Sequence, residues 1–194
     1  MTQTLSIQDA ITHSVDEAIA AAQTLKCAKP FIEEVAMAIA DCFKRGNKII
    51  VAGNGGSLCD AMHFVEEMTG YFRRKRKALP AIALADPGHM SCVGNDTGYD
   101  DVFSRGVEAH GVAGDVFIAL TTSGNSPNLV QAVEVAKANG LTTVAFLGKT
   151  GGKLKDVCDH EWVVSGFPYS DRVQEAHMAA IHIIIEMIEK VLFD

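Results

Sequence analysis

The sequence predicts an α/β protein. A five-stranded parallel sheet is flanked by helices in a three-layer sandwich, with added helices at the N-terminus and one long C-terminal helix. Three observations predict it. Apolar runs such as Ile49-Ile50-Val51-Ala52 and Val116-Phe117-Ile118-Ala119-Leu120 read as buried strands. Helical periodicity alternates with such runs. Two of the runs open into Gly/Ser-rich turns, Gly53-Asn54-Gly55-Gly56-Ser57 and Thr121-Thr122-Ser123-Gly124-Asn125-Ser126, each leading into a helix.

The elements follow in order. Ile7, Ala10, Ile11, Val15, Ala18, Ile19 and Ala22 recur at helical spacing, predicting a helix from about Ser6 to Leu25. Pro30 suits the first turn of a second helix reaching Arg45, which Gly46-Asn47 stops. Strands are expected at Lys48–Ala52, Ala81–Ala85, Val116–Leu120, Leu141–Gly148 and Glu161–Val164. Helices are expected from a Ser57 cap through Gly70, from Pro127 to Asn139, and from Asp171 to Leu192. Gly94-Asn95-Asp96 reads as a loop. There is no repeat, linker or low-complexity tract, so residues 1–194 read as one domain, 1–46 as N-terminal helices and 47–194 as the α/β core. The last helix is apolar around most of its circumference, through Ile181, Ile183, Ile184, Ile185, Met187 and Ile188, which suggests a subunit interface.

Composition narrows the function. A 48% hydrophobic and 21% charged chain of 194 residues can bury a core and is not a disordered segment. A net charge of -7 disfavours non-specific nucleic-acid binding. Cys27, Cys42, Cys59, Cys92 and Cys158 are scattered and form no C-x-x-C pair, which fits reduced thiols in a cytoplasmic protein. No signal peptide and no membrane-spanning run is expected.

Each Gly/Ser turn presents backbone N–H groups and hydroxyls at the positive end of a helix dipole, a setting that suits phosphate. Ser126-Pro127 marks a helix start wrapped by the hydroxyls of Thr121, Thr122, Ser123 and Ser126. A plain capped helix needs fewer. Two such loops at strand C-terminal ends point to one phosphorylated ligand in the crevice of an open sheet. The Gly53–Ser57 loop is neither G-x-G-x-x-G nor a P-loop, which disfavours NAD and ATP.

His63 and Glu67 stand four apart and share a helix face. They read as two metal ligands, as a base with its orienting partner, or as an exposed polar pair. On the last helix, Gln174 and His182 lie about 80° apart at about 100° per residue, on one broad face. His182 sits among isoleucines and His177 lies nearby; each reads as a core histidine or as a metal ligand or proton shuttle. The basic run Arg73-Arg74-Lys75-Arg76-Lys77 reads as a solvated loop at a helix C-terminus, with a nucleic-acid patch or a phosphate-attracting rim as alternatives.

Taken together, these residues resemble the sugar isomerase (SIS) domain family, and within it the phosphoheptose isomerases. The resemblance runs through Gly53-Asn54-Gly55-Gly56-Ser57, Asp60-Ala61-Met62-His63-Phe64 with Glu66-Glu67, Val93-Gly94-Asn95-Asp96 and Phe103-Ser104-Arg105. It continues through Thr122-Ser123-Gly124-Asn125-Ser126, Arg172-Val173-Gln174-Glu175-Ala176-His177 and His182. It implies a flavodoxin-like SIS sheet and conversion of sedoheptulose 7-phosphate to D-glycero-D-manno-heptose 7-phosphate, the first step toward ADP-heptose and the lipopolysaccharide core.

By the same resemblance, Asn54, Gly55, Gly56, Ser57, Asn95, Asp96, Asp171 and Gln174 contact the sugar phosphate, and Thr121, Thr122, Ser123 and Ser126 hold its phosphate. Glu67 is the catalytic carboxylate and also meets substrate, and His182 is the catalytic histidine. His63, Glu67, Gln174 and His182 match the positions that bind Zn²⁺ in some members, one ion per subunit. The family forms homotetramers with no nucleic-acid or membrane partner. Thr121 stands where Ser is usual, keeping the hydroxyl. Tyr71 stands where many members carry Arg, with Arg73 or Arg74 as replacements. The alternatives are a non-catalytic SIS regulator, binding a replication initiator or a sugar phosphate, and an isomerase of another phosphosugar. Such regulators typically lose the Glu or the His, and this chain keeps both.

Overall fold

The computed structural model describes residues 6–194. Its strands are β1 (Ile49–Gly53), β2 (Ala81–Ala83), β3 (Val116–Leu120), β4 (Thr142–Gly148) and β5 (His160–Val164), all parallel, in the spatial order β2-β1-β3-β4-β5. β1 and β3 are buried along their whole length, as strands covered on both faces must be. Alternate residues point to opposite faces. Ile49, Val51, Ile118, Leu120 and Phe146 join one core cluster, and Ile50, Ala52, Phe117, Ala119 and Leu147 join the other.

The helices are α1 (Ile7–Gln23), α2 (Lys29–Lys44), α3 (Gly56–Thr69), α4 (Pro87–Asp96), α5 (Val102–His110), α6 (Pro127–Ala138) and α7 (Ser170–Phe193). Residues of α2, α3 and α7 fill the first cluster, and residues of α5 and α6 fill the second, giving the three layers. At the opposite end of the sheet from the loops, the buried Asp115 carboxylate accepts bonds from Lys48 Nζ at 2.5 Å and from the Lys48, Val112 and Asn47 nitrogens at 3.0 Å. These bonds hold its pKa below the usual carboxylate range against the opposing effect of burial.

Three local expectations are corrected. Ser57 does not cap α3. Gly55, at φ 58°, takes the cap position, and Ser57 is a buried residue of the first turn. A side chain is disfavoured at that φ, so the Gly-Gly pair, not the serine, starts the helix. Asn95 and Asp96 are not in a loop: they end α4, which Asp86-Pro87 starts, with Asp86 Oδ1 accepting the His89 N–H at 2.6 Å. The weak apolar pattern of α4, interrupted by Gly88 and Gly94, hides this helix, and α5 is a second helix that the expected elements do not include. The basic run is not a uniformly solvated loop, because the Arg76 side chain is buried.

The chain order places a topological switch at β1 and β3. From β1 the chain passes to β2 on one side, then crosses back to β3 on the other. Gly53 and Leu120 are partners in register, so the two Gly/Ser turns leave the sheet side by side. A crevice outside the carboxyl ends of the strands at such a point is where open α/β sheets bind ligands.

Candidate active site

Two features build the site: a pair of loops at the switch point and a cluster of side chains further along α3 and α7. In the first loop a Cβ on Gly53 would lie 2.5 Å from the Ser57 carbonyl oxygen, so the strand can turn this tightly into α3 only through glycine. Asn54 crosses to α6. Its Nδ2 donates to Asn128 Oδ1 at 3.0 Å, and its Oδ1 accepts from Asn128 Nδ2 at 3.0 Å and from the Tyr99 hydroxyl at 3.1 Å. Asn128 is buried, so this amide pair fixes the first loop to the start of α6.

In the second loop Thr121 is buried and its hydroxyl accepts the Gly124 N–H at 3.2 Å. Ser123 Oγ accepts the Asn125 N–H, and Thr122 Oγ1 donates to Ser170 Oγ at 3.1 Å. Gly124, at φ 65°, lies so close to Gly151 that a Cβ would fall 1.7 Å from its carbonyl oxygen. Ser126 holds the cap position of α6 without a side-chain cap bond, which leaves its hydroxyl available to a ligand.

The N-terminal turns of α7 cover both loops. Ser170 meets Thr122, Asp171 Oδ1 accepts the Arg172 N–H in the first turn, and the Gln174 amide lies where a Cβ on Gly56 would be, 2.6 Å from Oε1. Asn95 and Asp96 are less engaged. Both are exposed, and Asn95 Nδ2 donates to Asp96 Oδ1 at 2.8 Å.

His63 and Glu67 of α3 converge with His182 of α7. One ligand atom from each lies within 4.8 Å of the others, and all three residues are half-buried. His63 Nε2 stands 3.5 Å from Glu67 Oε1 and 3.7 Å from Glu66 Oε1. The His63 and His182 rings meet edge to face at 5.1 Å. Of the readings open for His63 and Glu67, an isolated exposed pair does not describe this arrangement. His182 is not part of the isoleucine core: Ile181 and Ile184 turn inward while His182 turns toward α3. His177 is the core histidine, fully buried with Nε2 donating to the Leu147 carbonyl at 3.0 Å.

Electrostatics distinguish the groups. Burial, then the charges of His63 and Arg73, push the His182 pKa below its ordinary value, against the pull of Glu67, which favours a neutral imidazole near pH 7. Burial pushes the Asp60 carboxyl up to about 6, with His63 opposing, and its Oδ2 is buried without a partner among the described residues. Two imidazoles and a carboxylate form a donor set that suits Zn²⁺. Seven residues separate Gly56 from His63, and eight separate Gln174 from His182. At about 1.5 Å per residue, both helices carry the cluster about 10–12 Å beyond the loops.

The SIS domain signature matches residues 12–148 of the chain. This chain belongs to the SIS domain family. It is 58% identical over 161 residues to the phosphoheptose isomerase of Fusobacterium nucleatum, a match that covers 83% of this chain and 82% of that protein. It is 57% identical over 159 residues to the phosphoheptose isomerase of Vibrio cholerae, covering 82% and 83%. Among solved structures, the phosphoheptose isomerase of Neisseria gonorrhoeae superposes with a TM-score of 0.89 at 35% identity, over 95% of this chain and 100% of that one. The Francisella tularensis phosphoheptose isomerase gives 0.89 at 32% identity, over 96% and 100%. The five-stranded parallel sheet and the long C-terminal helix are thus those of the family.

Sequence reasoning missed Tyr99, Asn128, Phe72 and Arg76 as parts of this region. Asn128 follows the Ser126-Pro127 helix start, which marks it as a first-turn polar residue near the loop. The other three carry no local signal. Tyr71, at the position where the family resemblance calls for Arg, is 58% exposed, whereas Arg73 pairs with Glu186 at 2.8 Å and acts on the charge of His182.

Proposed function

We infer that this chain is an aldose–ketose isomerase that converts sedoheptulose 7-phosphate to D-glycero-D-manno-heptose 7-phosphate. The activity agrees with the names of its relatives, which are similar over more than four fifths of the chain. The observation that carries the reading in this chain is the spacing just described. Hydroxyl-rich loops stand at one end of α3 and α7, and a carboxylate–histidine cluster stands further along both. A seven-carbon sugar with a terminal phosphate has its reacting carbons and its phosphate at opposite ends.

The reaction moves one proton between carbons and one between oxygens. We assign Glu67 as the base that takes a proton from C1 of the ketose and returns it to C2. We assign His182 as the group that protonates the C2 oxygen as the enediol forms, and takes the proton from the C1 oxygen as it collapses. A neutral imidazole is poised for both transfers. Thr121, Thr122, Ser123 and Ser126 hold the phosphate with the α6 dipole, so binding energy far from the reacting carbons orients them. Asn54, Gly55, Gly56, Ser57, Asn95, Asp96, Asp171 and Gln174 line the path of the polyol.

His63, Glu67 and His182 would hold a Zn²⁺ ion; Gln174, the fourth donor the resemblance implies, packs its amide against Gly56 and would have to turn along α7 to reach it. When bound, such an ion would supply Lewis-acid polarisation of the substrate's carbonyl and hydroxyl oxygens. We also propose a homotetramer. Ile183, Met187 and Val191 of α7 line an apolar groove of about 550 Å³ with Ile32 and Met37 of α2, while Ile7, Ile11, Val15 and Ile19 form an exposed apolar stripe on α1. Both surfaces are suited to other copies of the chain. A cytoplasmic setting suits its five free cysteines, and no described helix is long and apolar enough to cross a membrane.

The test is turnover. Purified protein incubated with sedoheptulose 7-phosphate is expected to form the aldoheptose phosphate, to lose activity on chelation and to regain it with Zn²⁺. Binding of the sugar phosphate without conversion would identify a sensor instead.

A further inference from the structure

The segment between α3 and β2 ties together the two helices that carry the His63–Glu67–His182 cluster. Arg76 lies in this segment with its side chain 2% exposed. Its Nε donates to Glu189 Oε1 at 2.6 Å. Its Nη2 donates to the Glu67 carbonyl at 2.7 Å, and Nη1 donates to the Met68 carbonyl at 2.9 Å. The guanidinium thus spans from the last turn of α3, at the very residue that bears the carboxylate, to α7. Glu189 follows His182 by seven residues, about two turns, so both lie on one face of α7.

The same Glu189 oxygen accepts the Phe72 N–H at 3.3 Å. The Phe72 ring is stacked on the His182 imidazole, with centroids 5.5 Å apart and planes inclined by 18°. The Arg73 guanidinium stands 5.2 Å from the centre of that phenyl ring and is anchored by Glu186, one turn after His182. His182 is therefore held between Phe72 and His63, and Phe72 is held by the buried ion pair.

A buried ion pair is weak support for stability, since apolar side chains of similar volume often serve as well or better. What apolar side chains cannot do is fix direction. A planar guanidinium with several donors engaged sets the separation and register of two helices. We propose that Phe72 and Arg76 are positioning residues for the isomerisation: Phe72 orients the His182 imidazole, and Arg76, through Glu189, places Phe72 and sets Glu67 opposite His182. This rests on the assignment of Glu67 and His182 as the proton-transfer groups.

The experiment is steady-state kinetics with sedoheptulose 7-phosphate, with a melting temperature for each protein. The variants are Phe72→Ala, Phe72→Tyr, Arg76→Lys and His182→Gln. A reacting group displaced by about 1 Å loses on the order of 100-fold in rate, so Phe72→Ala and Arg76→Lys are expected to lower kcat about 10- to 100-fold. KM should stay within about twofold, because the phosphate loops are untouched. Phe72→Tyr keeps the ring face and should keep kcat near that of the unmodified protein. If Arg76→Lys does not fold, the two Phe72 variants still decide. Wild-type kcat in Phe72→Ala, or an equal loss in Phe72→Tyr, would overturn the proposal. A rise in KM with kcat unchanged would overturn it too. Full turnover in His182→Gln would remove the proton-transfer assignment and this inference with it. An inactive His182→Gln beside an unimpaired Phe72→Ala would remove the positioning role alone.

Discussion

His177 ties the stability of the fold to pH in a way that can be worked from its surroundings. The imidazole is fully buried between Phe146 and Trp162, with ring centroids 5.6 Å and 5.9 Å away. Its Nε2 donates to the Leu147 carbonyl, and its Nδ1 is buried without a partner among the described residues. Adding a proton to Nδ1 would place a charge and an unpaired donor in the apolar core, so burial lowers the pKa from 6.5 to about 4 despite the Leu147 bond. The unfolded chain binds this proton below pH 6.5 and the native chain does not. Stability from this residue is therefore complete above pH 6.5 and falls as the pH drops toward 4. At about 1.4 kcal/mol per pH unit the total is about 3 kcal/mol. Urea unfolding at fixed protein concentration, at steps from pH 7.5 to 4, measures it. The His177→Gln variant is expected to be weaker at neutral pH but to lose about 3 kcal/mol less than the wild type on acidification. Parallel pH curves for the two proteins would refute the reasoning.

Two further perturbations, each with a control elsewhere in the fold, bear on the second loop and on the Arg76–Glu189 pair. Gly124→Ala puts a methyl group into the Gly151 carbonyl at a positive φ, and strain of about 1–3 kcal/mol should open the second loop and raise KM for the sugar phosphate about tenfold or more. Gly46→Ala, at φ 83° with open space around it, should cost stability and leave KM unchanged. Glu189→Gln leaves the buried Arg76 charge uncompensated, so it should cost about 3–5 kcal/mol and lower the melting temperature by roughly 10 °C. Disrupting the exposed Arg105–Glu108 pair by Glu108→Gln should cost less than about 1 kcal/mol.

Much of this architecture was legible because it rests on local signals. The apolar runs Ile49–Ala52 and Val116–Leu120 are continuous because both faces of those strands are covered, and the Ser126-Pro127 pair fixes the start of α6. The two loops could be read as anion sites because glycine and hydroxyl residues in a strand-to-helix turn have few other uses. Helix α4 was not legible, since Gly88 and Gly94 interrupt its pattern. The burial of Arg76 was not legible either. Its partners are Glu189, far along the chain, and carbonyl oxygens that no side-chain pattern reports. His63 and Glu67 could be paired by spacing alone, but their convergence with His182 depends on how α3 packs against α7. Before the fold is known, that histidine looks like any other residue of an isoleucine-rich helix.

The central claim is that Glu67 and His182 move the protons of one bound sugar phosphate. It is tested most directly by solvent deuterium exchange. In D₂O the wild-type protein should place deuterium on C1 or C2 of the heptose phosphate, because an enediol exchanges its proton on the base. Glu67→Gln should still bind the sugar phosphate through the untouched loops and should incorporate almost none, as should His182→Gln. Exchange at the wild-type rate in either variant would contradict the account.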